Sequence, residues 1–386
     1  RRPLGRTQAA GSSNGGPVGR STMLRATRAL WKHFRIAVNT GDGIGRQIMP
    51  HALRLLSSVE QHTGHQFEIL HIEAGLDTFL RTGTSLPRYT LDTCLTCNAA
   101  LCGPVYGPVA VMPGYVAPYV SIRKELELYV QLSLCSSLPI KAPGFRPGVD
   151  MLIVRENLEG FYIRLETLEE SGPQWGGRNA MALMRITEQG SRRVAEKAFQ
   201  VAQKRRSHVT IVHKSNILSA SDGLFREVCF AVARDYPDVR VDEQITEAFV
   251  CSMLRNPGRY DVILTPNMYG DFIAESAAAI VGGVQYQAQC NVGDGFCLVH
   301  PIHGTADDIA CHIANPAGII RATGLMLAHL LDEEGIKIAQ QIDDALFGIL
   351  QDKVVVPADM GGSSTTEEVA DAFLDSFEAL WRRAAD

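Results

Sequence analysis

Residues 267–276 read Asn267-Met268-Tyr269-Gly270-Asp271-Phe272-Ile273-Ala274-Glu275-Ser276, and an Ala- and Ile-rich run to Val281 follows. That continuation predicts a helix opening near Gly270, with Asp271 and Glu275 four residues apart on one face. Two carboxylates side by side repel unless a cation lies between them. A hard divalent ion such as Mg²⁺ takes one or two carboxylates together with substrate oxygens. As an isolated pair, the same acids read as solvated residues of a surface helix. The remaining chain decides between these readings.

Immediately upstream, Tyr260–Leu264 is a buried strand that delivers Asn267 and Asp271. The same alternation runs through the chain. Ile36-Ala37-Val38 is a short strand, Gly41-Asp42-Gly43-Ile44-Gly45 a tight loop, and Ile48, Ala52, Leu53 and Leu56 mark the helix after it. The loop is not the dinucleotide fingerprint, because its third glycine comes one position early. Further strands are expected at Phe67–Leu70, Ala99–Cys102, Met151–Val154 and Val209–Val212. Helices are expected at Leu91–Cys97, Ser121–Val130, Glu188–Gln203, Leu224–Arg234 and Ala317–Leu331. Residues 104–118 form a loop rich in Pro and Gly, and 163–180, without periodicity, suggest an excursion or arm. The implied class is α/β, with mixed sheets flanked by helices. Met151–Val154 runs into Arg155-Glu156-Asn157, and Val209–Val212 into His213-Lys214-Ser215-Asn216. Polar groups at strand C-terminal ends are well placed to line a site.

The chain has 386 residues, 46% apolar and 20% charged, with a formal charge of -5. This is the composition of a globular protein with room for two cores, and it argues against general nucleic-acid binding. No apolar run approaches the ~18 residues of a membrane span. Nine scattered cysteines fit a reducing compartment better than a disulfide framework. Cys94 and Cys97 have redox or zinc spacing, but no second pair follows, and they read as core cysteines on a helix. Residues 1–35 hold eight Arg or Lys and no acid. That is the composition of an organelle transit segment, here mitochondrial, or else of a basic tail.

Seven motifs fall in one order: GDGIG at 41–45, RKELELY at Arg123–Tyr129, RENLEGFY at Arg155–Tyr162, HKSN at 213–216, NMYGDFIAE at 267–275, HGTADDIA at 303–310 and IANP at 313–316. Together they resemble the β-decarboxylating dehydrogenases, the family of isocitrate, isopropylmalate, homoisocitrate and tartrate dehydrogenases. Residues 134–139 and 360–366 are similar to subunits of mitochondrial NAD-dependent isocitrate dehydrogenase. The resemblance implies an isocitrate/isopropylmalate dehydrogenase-like two-domain fold, with 36–128 plus 282–386 as the large domain and 129–281 as the small one. A dimer arm is expected near 163–185. The implied activity is oxidation of a 2-hydroxy acid by NAD, then decarboxylation beside Mg²⁺ or Mn²⁺. By resemblance, Glu247, Asp271 and Glu275 fall on metal positions, Glu247 serving a neighbouring subunit. Lys214 falls on the base and Tyr162 on the acid. Arg123, Arg155 and Asn216 fall on substrate positions, and His303, Gly304 and Asn315 on the cofactor loop.

The departures from the family cluster in the substrate grip. Ala117 stands where the family has Ser, Tyr119 where isocitrate enzymes have Asn, and Ser133 where catalytic members have a further Arg. Two metal aspartates are Glu247 and Glu275, and His300 replaces a Glu. These departures suggest a regulatory or catalytically impaired subunit of a mitochondrial matrix enzyme of the isocitrate dehydrogenase type, in a homo- or hetero-oligomer of related chains. The alternatives are an accessory subunit of a larger mitochondrial complex and an active dehydrogenase for another 2-hydroxy acid.

Overall fold

The computed structural model describes residues 32–139, 145–172 and 176–385. The basic segment read as transit-like therefore lies almost wholly outside the described residues.

The strands are β1 (His33–Asn39), β2 (Gln66–His71), β3 (Ala99–Cys102), β4 (Val130–Ser136), β5 (Asp150–Glu156), β6 (Gly160–Gly172), β7 (Gly177–Arg185), β8 (His208–His213), β9 (Arg240–Ile245), β10 (Val262–Thr265), β11 (Ala288–Val292) and β12 (Cys297–Pro301). The helices are α1 (Gly45–Thr63), α2 (Leu76–Thr82), α3 (Arg88–Cys94), α4 (Pro118–Glu125), α5 (Glu188–Gln203), α6 (Ser221–Ala233), α7 (Thr246–Arg255), α8 (Asn267–Val281), α9 (Ala317–Leu330), α10 (Asp332–Gln351) and α11 (Thr366–Ala385). Ten strands form one sheet in the order β2-β1-β3-β12-β11-β4-β5-β10-β8-β9, and β6 and β7 form a separate antiparallel ribbon. Parallel pairs occupy both flanks, and the centre, from β12 through β11 and β4 to β5, is antiparallel.

Every strand expected from the sequence lies in this sheet. The helix expected at Ser121–Val130 is shorter. Pro118 opens α4 at a position where its missing N–H is no loss, and the helix ends at Glu125. Glu127 then turns left-handed, with φ 49°, and the chain enters β4. Leu126, Leu128 and Val130 alternate, which is a strand period.

Apolar packing forms separate clusters. One gathers Ile36, Val38, Ile48 and Leu55 with Ile320, Leu346 and Phe373 from the C-terminal helices. On the opposite side of β1 and β3, Ala37 and Cys102 pack with Leu91, Tyr119 and Ile122. Two more clusters, around Phe199 and Phe225 and around Phe249 and Ile273, cover the other flank. All nine cysteines are free thiols, and most are buried.

Candidate active site

β5 and β10 run side by side, Arg155 opposite Thr265, and α8 starts two residues beyond β10. Arg155 thus meets the first turn of α8. A Cβ at Gly270 would lie 2.6 Å from the Arg155 side chain, so only glycine lets the guanidinium pass. Arg155 is 1% exposed and all five of its N–H groups are engaged. Nε (3.1 Å) and Nη2 (2.6 Å) donate to Asn267 Oδ1. Nη1 donates to Gln131 Oε1 (3.1 Å) and to Asp271 Oδ1, and Nη2 also donates to Asp271 Oδ2 (2.7 Å). The Tyr162 hydroxyl donates to the same Asp271 Oδ2, and the Tyr162 ring lies 5.2 Å from the guanidinium. Arg155, Tyr162 and Asp271, singled out by sequence, therefore form one cluster.

Arg123 lies nearby with little to hold it. Its one hydrogen bond, from Nη1 to Asn157 Oδ1, is 3.4 Å long, and its buried Nε has no partner among the described residues. Burial and the charge of Arg155 push its pKa down to about 10. His300 shares this environment. Its Nδ1 donates to the Pro301 carbonyl at 2.8 Å, because a carbonyl only accepts, and this leaves Nε2 as an unpaired acceptor. Burial, then the charge of Arg123, push the imidazole down to about 3.

A pH dependence follows from His300. The folded state refuses a proton that the unfolded chain binds below about pH 6.5, so stability is lost as pH falls from there towards 3. Replacing His300 by Gln is expected to flatten this acid limb in urea titrations at pH 7 and pH 5. An unchanged limb would contradict it.

Lys214 follows β8 on a loop fixed by Asp222, whose Oδ2 accepts the Lys214 backbone N–H at 2.6 Å. Asp222 is fully buried, and burial raises its pKa. Tyr269 of α8 lies near this group, and burial, then the charge of Asp222, raise its pKa. The Lys214 ammonium pairs with Glu247 at the start of α7, and Asn216, two residues on, is exposed.

On the other flank, the Ile44 N–H donates to the Thr305 carbonyl at 3.0 Å and joins the 41–45 loop to 303–308. Asp42 is the staple of that corner. Its carboxylate accepts the backbone N–H groups of Leu76 (2.8 Å), Asp77 (3.1 Å) and Tyr106 (2.8 Å). His303 Nδ1 donates to the Gly304 carbonyl at 2.9 Å. Asn315 accepts the Ala317 N–H at the start of α9 and donates to Asp359 at 3.1 Å.

Residues 35–373 match the isocitrate/isopropylmalate dehydrogenase family model. The chain belongs to this family. It is 36% identical to the isocitrate/homoisocitrate dehydrogenase of Thermus thermophilus over 90% of this chain and 99% of that one. It is 33% identical to a mitochondrial NAD isocitrate dehydrogenase catalytic subunit of Arabidopsis thaliana, over 96% and 95%. The crystal structure of isocitrate dehydrogenase from Methylococcus capsulatus superposes with a TM-score of 0.81, at 32% identity over 89% of this chain and 99% of that one.

Within this family a divalent metal and a nicotinamide cofactor are implied, and the side chains permit a test of fit. Asp271 and Glu275 supply two oxygen donors on one face of α8, the set a hard cation prefers. Burial, then the charge of the neighbouring Asp271, raise the Glu275 pKa. Among the described residues no three of His, Cys, Asp or Glu converge on a metal position. Within one chain, then, Asp271 and Glu275 offer the donor type a cation prefers, but Asp271 is held by Arg155 and Tyr162 and Glu247 by Lys214, so a cation would have to displace Arg155 from Asp271. At the cofactor loop the space beside Gly304 is open, which leaves room for a nucleotide, and the buried His303 Nε2 has no partner among the described residues.

Three side chains of this site had weak signals in the sequence. Gln131 is a polar residue on a central strand, Asn267 opens α8, and Asp222 begins α6. Each is a short polar residue inside or beside an apolar run, and only the fold shows which charge each one meets. Of the departures, Ser133 is buried and accepts from Gln131 at 3.3 Å. Tyr119 is buried too, its hydroxyl donating to the Gly103 carbonyl at 2.6 Å and accepting from Asn39 at 2.9 Å.

Proposed function

We propose that this chain is a subunit of a mitochondrial NAD-dependent enzyme of the isocitrate dehydrogenase type, regulatory or catalytically impaired rather than a full catalyst. The supporting observation is the use of Arg155. All five of its donors are spent on Asp271, Asn267 and Gln131, and Ser133 offers a hydroxyl where a further arginine would stand. Arg123 is left as the one guanidinium of the grip with free donors. A tricarboxylate such as isocitrate needs more than one such fork.

Each residue has a stated part in this reading. A Mg²⁺ or Mn²⁺ ion, when bound, polarises the substrate hydroxyl and stabilises the enolate that forms as CO₂ leaves. Asp271 and Glu275 would hold it, with Glu247 of a second subunit as third arm. Arg123 orients a carboxylate. Lys214, once it has left Glu247 and given its extra proton to solvent, takes the hydroxyl proton as a neutral amine, and Tyr162 returns a proton to carbon. In this site Tyr162 instead donates to Asp271, and burial raises its pKa.

The relative named as mitochondrial and the acid-free basic segment support a matrix location. Leu165, Leu168, Met181 and Leu183 are exposed on the β6–β7 ribbon, which supports an oligomer of related chains. The separate core clusters support two domains, 36–128 with 282–386 and 129–281. A second reading, an active dehydrogenase for a smaller 2-hydroxy acid, is favoured by the single free fork of Arg123.

The test is to supply the purified chain with Mn²⁺, NAD⁺ or NADP⁺, and isocitrate, homoisocitrate, isopropylmalate or tartrate, and to follow reduced cofactor. Isocitrate turnover is expected at least about a hundredfold below the ~10 s⁻¹ common for enzymes. Ser133→Arg is expected to tighten isocitrate binding about tenfold or more, the worth of one charge-assisted bond. Ordinary isocitrate turnover by the chain alone would overturn the impaired reading.

A further inference from the structure

The ribbon joins the body of the protein through an irregular stretch. Gly160 opposes Arg185 and Leu165 opposes Leu183, so β6 advances five residues while β7 advances two. The surplus residues bulge out, and Arg164 among them is held at φ 60°, a conformation a bulky side chain rarely adopts. Bulges of this kind re-aim side chains, and strained residues collect at binding sites.

The bulge borders an open cavity of about 430 Å³ between α4, the ribbon and α5, lined by Lys124, Arg185 and Arg193 with Leu158, Ile163 and Leu165 as its apolar wall. Its charge is unbalanced. Lys124, Arg164 and Arg185 have no ion pair among the described residues. Arg193 lies over the Tyr129 ring and 3.9 Å from Glu127, and its buried Nε has no partner. Of the two acids on the cavity wall, Glu159 is consumed by the Thr187 N–H (2.8 Å) and hydroxyl (2.6 Å), and Glu127 is largely exposed. Partial burial, then the charges of Arg164 and Arg185, lower the Lys124 pKa.

We infer that Lys124, Arg185 and Arg193 form a binding site for a compact small-molecule polyanion, a diphosphate or a tricarboxylate, separate from the Arg123–Asp271 cluster. Two planar forks and an ammonium suit oxyanions, and the buried Arg193 Nε has no partner among the described residues. The inference does not depend on whether the chain turns over isocitrate.

Calorimetric titration of the full chain at low salt, with pyrophosphate in one arm and citrate in the other, tests it. Binding of at least one is expected, weakened about tenfold or more in Lys124→Gln and in Arg185→Gln. Both side chains are exposed, so the variants keep the fold, and circular dichroism checks this. Arg123→Gln is expected to leave the binding unchanged, which separates this site from the candidate active site. Three results would overturn the inference: no binding of either anion, equal binding by Arg185→Gln, or a loss that follows Arg123. It also falls if neither anion binds while Lys124→Gln and Arg185→Gln dissociate an oligomer, since the cations would then face carboxylates of another chain.

Discussion

Replacing Asp42 by Ala is expected to lower the unfolding free energy by about 3–5 kcal/mol. One buried carboxylate accepts three backbone N–H groups, from Leu76, Asp77 and Tyr106. A hydrogen bond to a charged group is worth ~1.5–3 kcal/mol, and the three share one anion, so their sum is less than three times that. The variant leaves three donors unpaired where three segments meet: the loop after β1, the start of α2 and the chain beyond β3. Asp42→Asn keeps one accepting oxygen and is expected to lose about half as much. Urea unfolding followed by circular dichroism measures both. A loss under about 1 kcal/mol for the Ala variant would show that water replaces the carboxylate.

Arg155→Met is expected to cost about 3 kcal/mol, at the lower end of what breaking a buried ion pair costs. The substitution strands the side-chain oxygens of Asn267 and Gln131 and removes the bidentate partner of Asp271. The Asp271 side chain is 35% exposed, so solvent takes up part of its charge and the estimate is discounted accordingly. A second measurement separates charge from packing. Mn²⁺ is expected to raise the melting temperature of Arg155→Met more than that of the unaltered chain, because the ion substitutes for the missing positive charge between Asp271 and Glu275. Equal shifts in both proteins would mean that Asp271 and Glu275 do not hold the ion.

Much of the fold was legible because its strands are short β-branched runs stopped by Gly, Pro or polar clusters. β1, β8 and β10 have that form. β4 did not: Gln131 and Ser133 alternate with apolar residues, and both are buried because a central strand covers its polar face as well as its apolar one. β11 and β12 were missed for a related reason, since Gln289, Asn291 and His300 interrupt runs that are otherwise apolar. In the site, charged residues at strand ends and the i, i+4 carboxylates could be read from spacing. The partners that satisfy them could not. Asn267 and Gln131 meet Arg155 across 112 and 24 residues, and nothing in either neighbourhood announces the pairing. The use of Arg155 as an internal clamp appears only when all five donors are followed to their acceptors.

The strand order also bears on how the chain reaches this structure. Strands β1 to β3, made early in synthesis, finish their sheet against β12, and α1 packs against α9 and α11, which are made last. β5, β10, β8 and β9 instead pair with one another within a single stretch of about 115 residues, from Asp150 to Thr265. Contacts between distant residues are slow to form, and segments that can close locally do so first. The middle of the chain is therefore expected to acquire protection from hydrogen exchange before either end. The amino-terminal strands would wait on the ribosome with an open edge until the last third of the protein emerges.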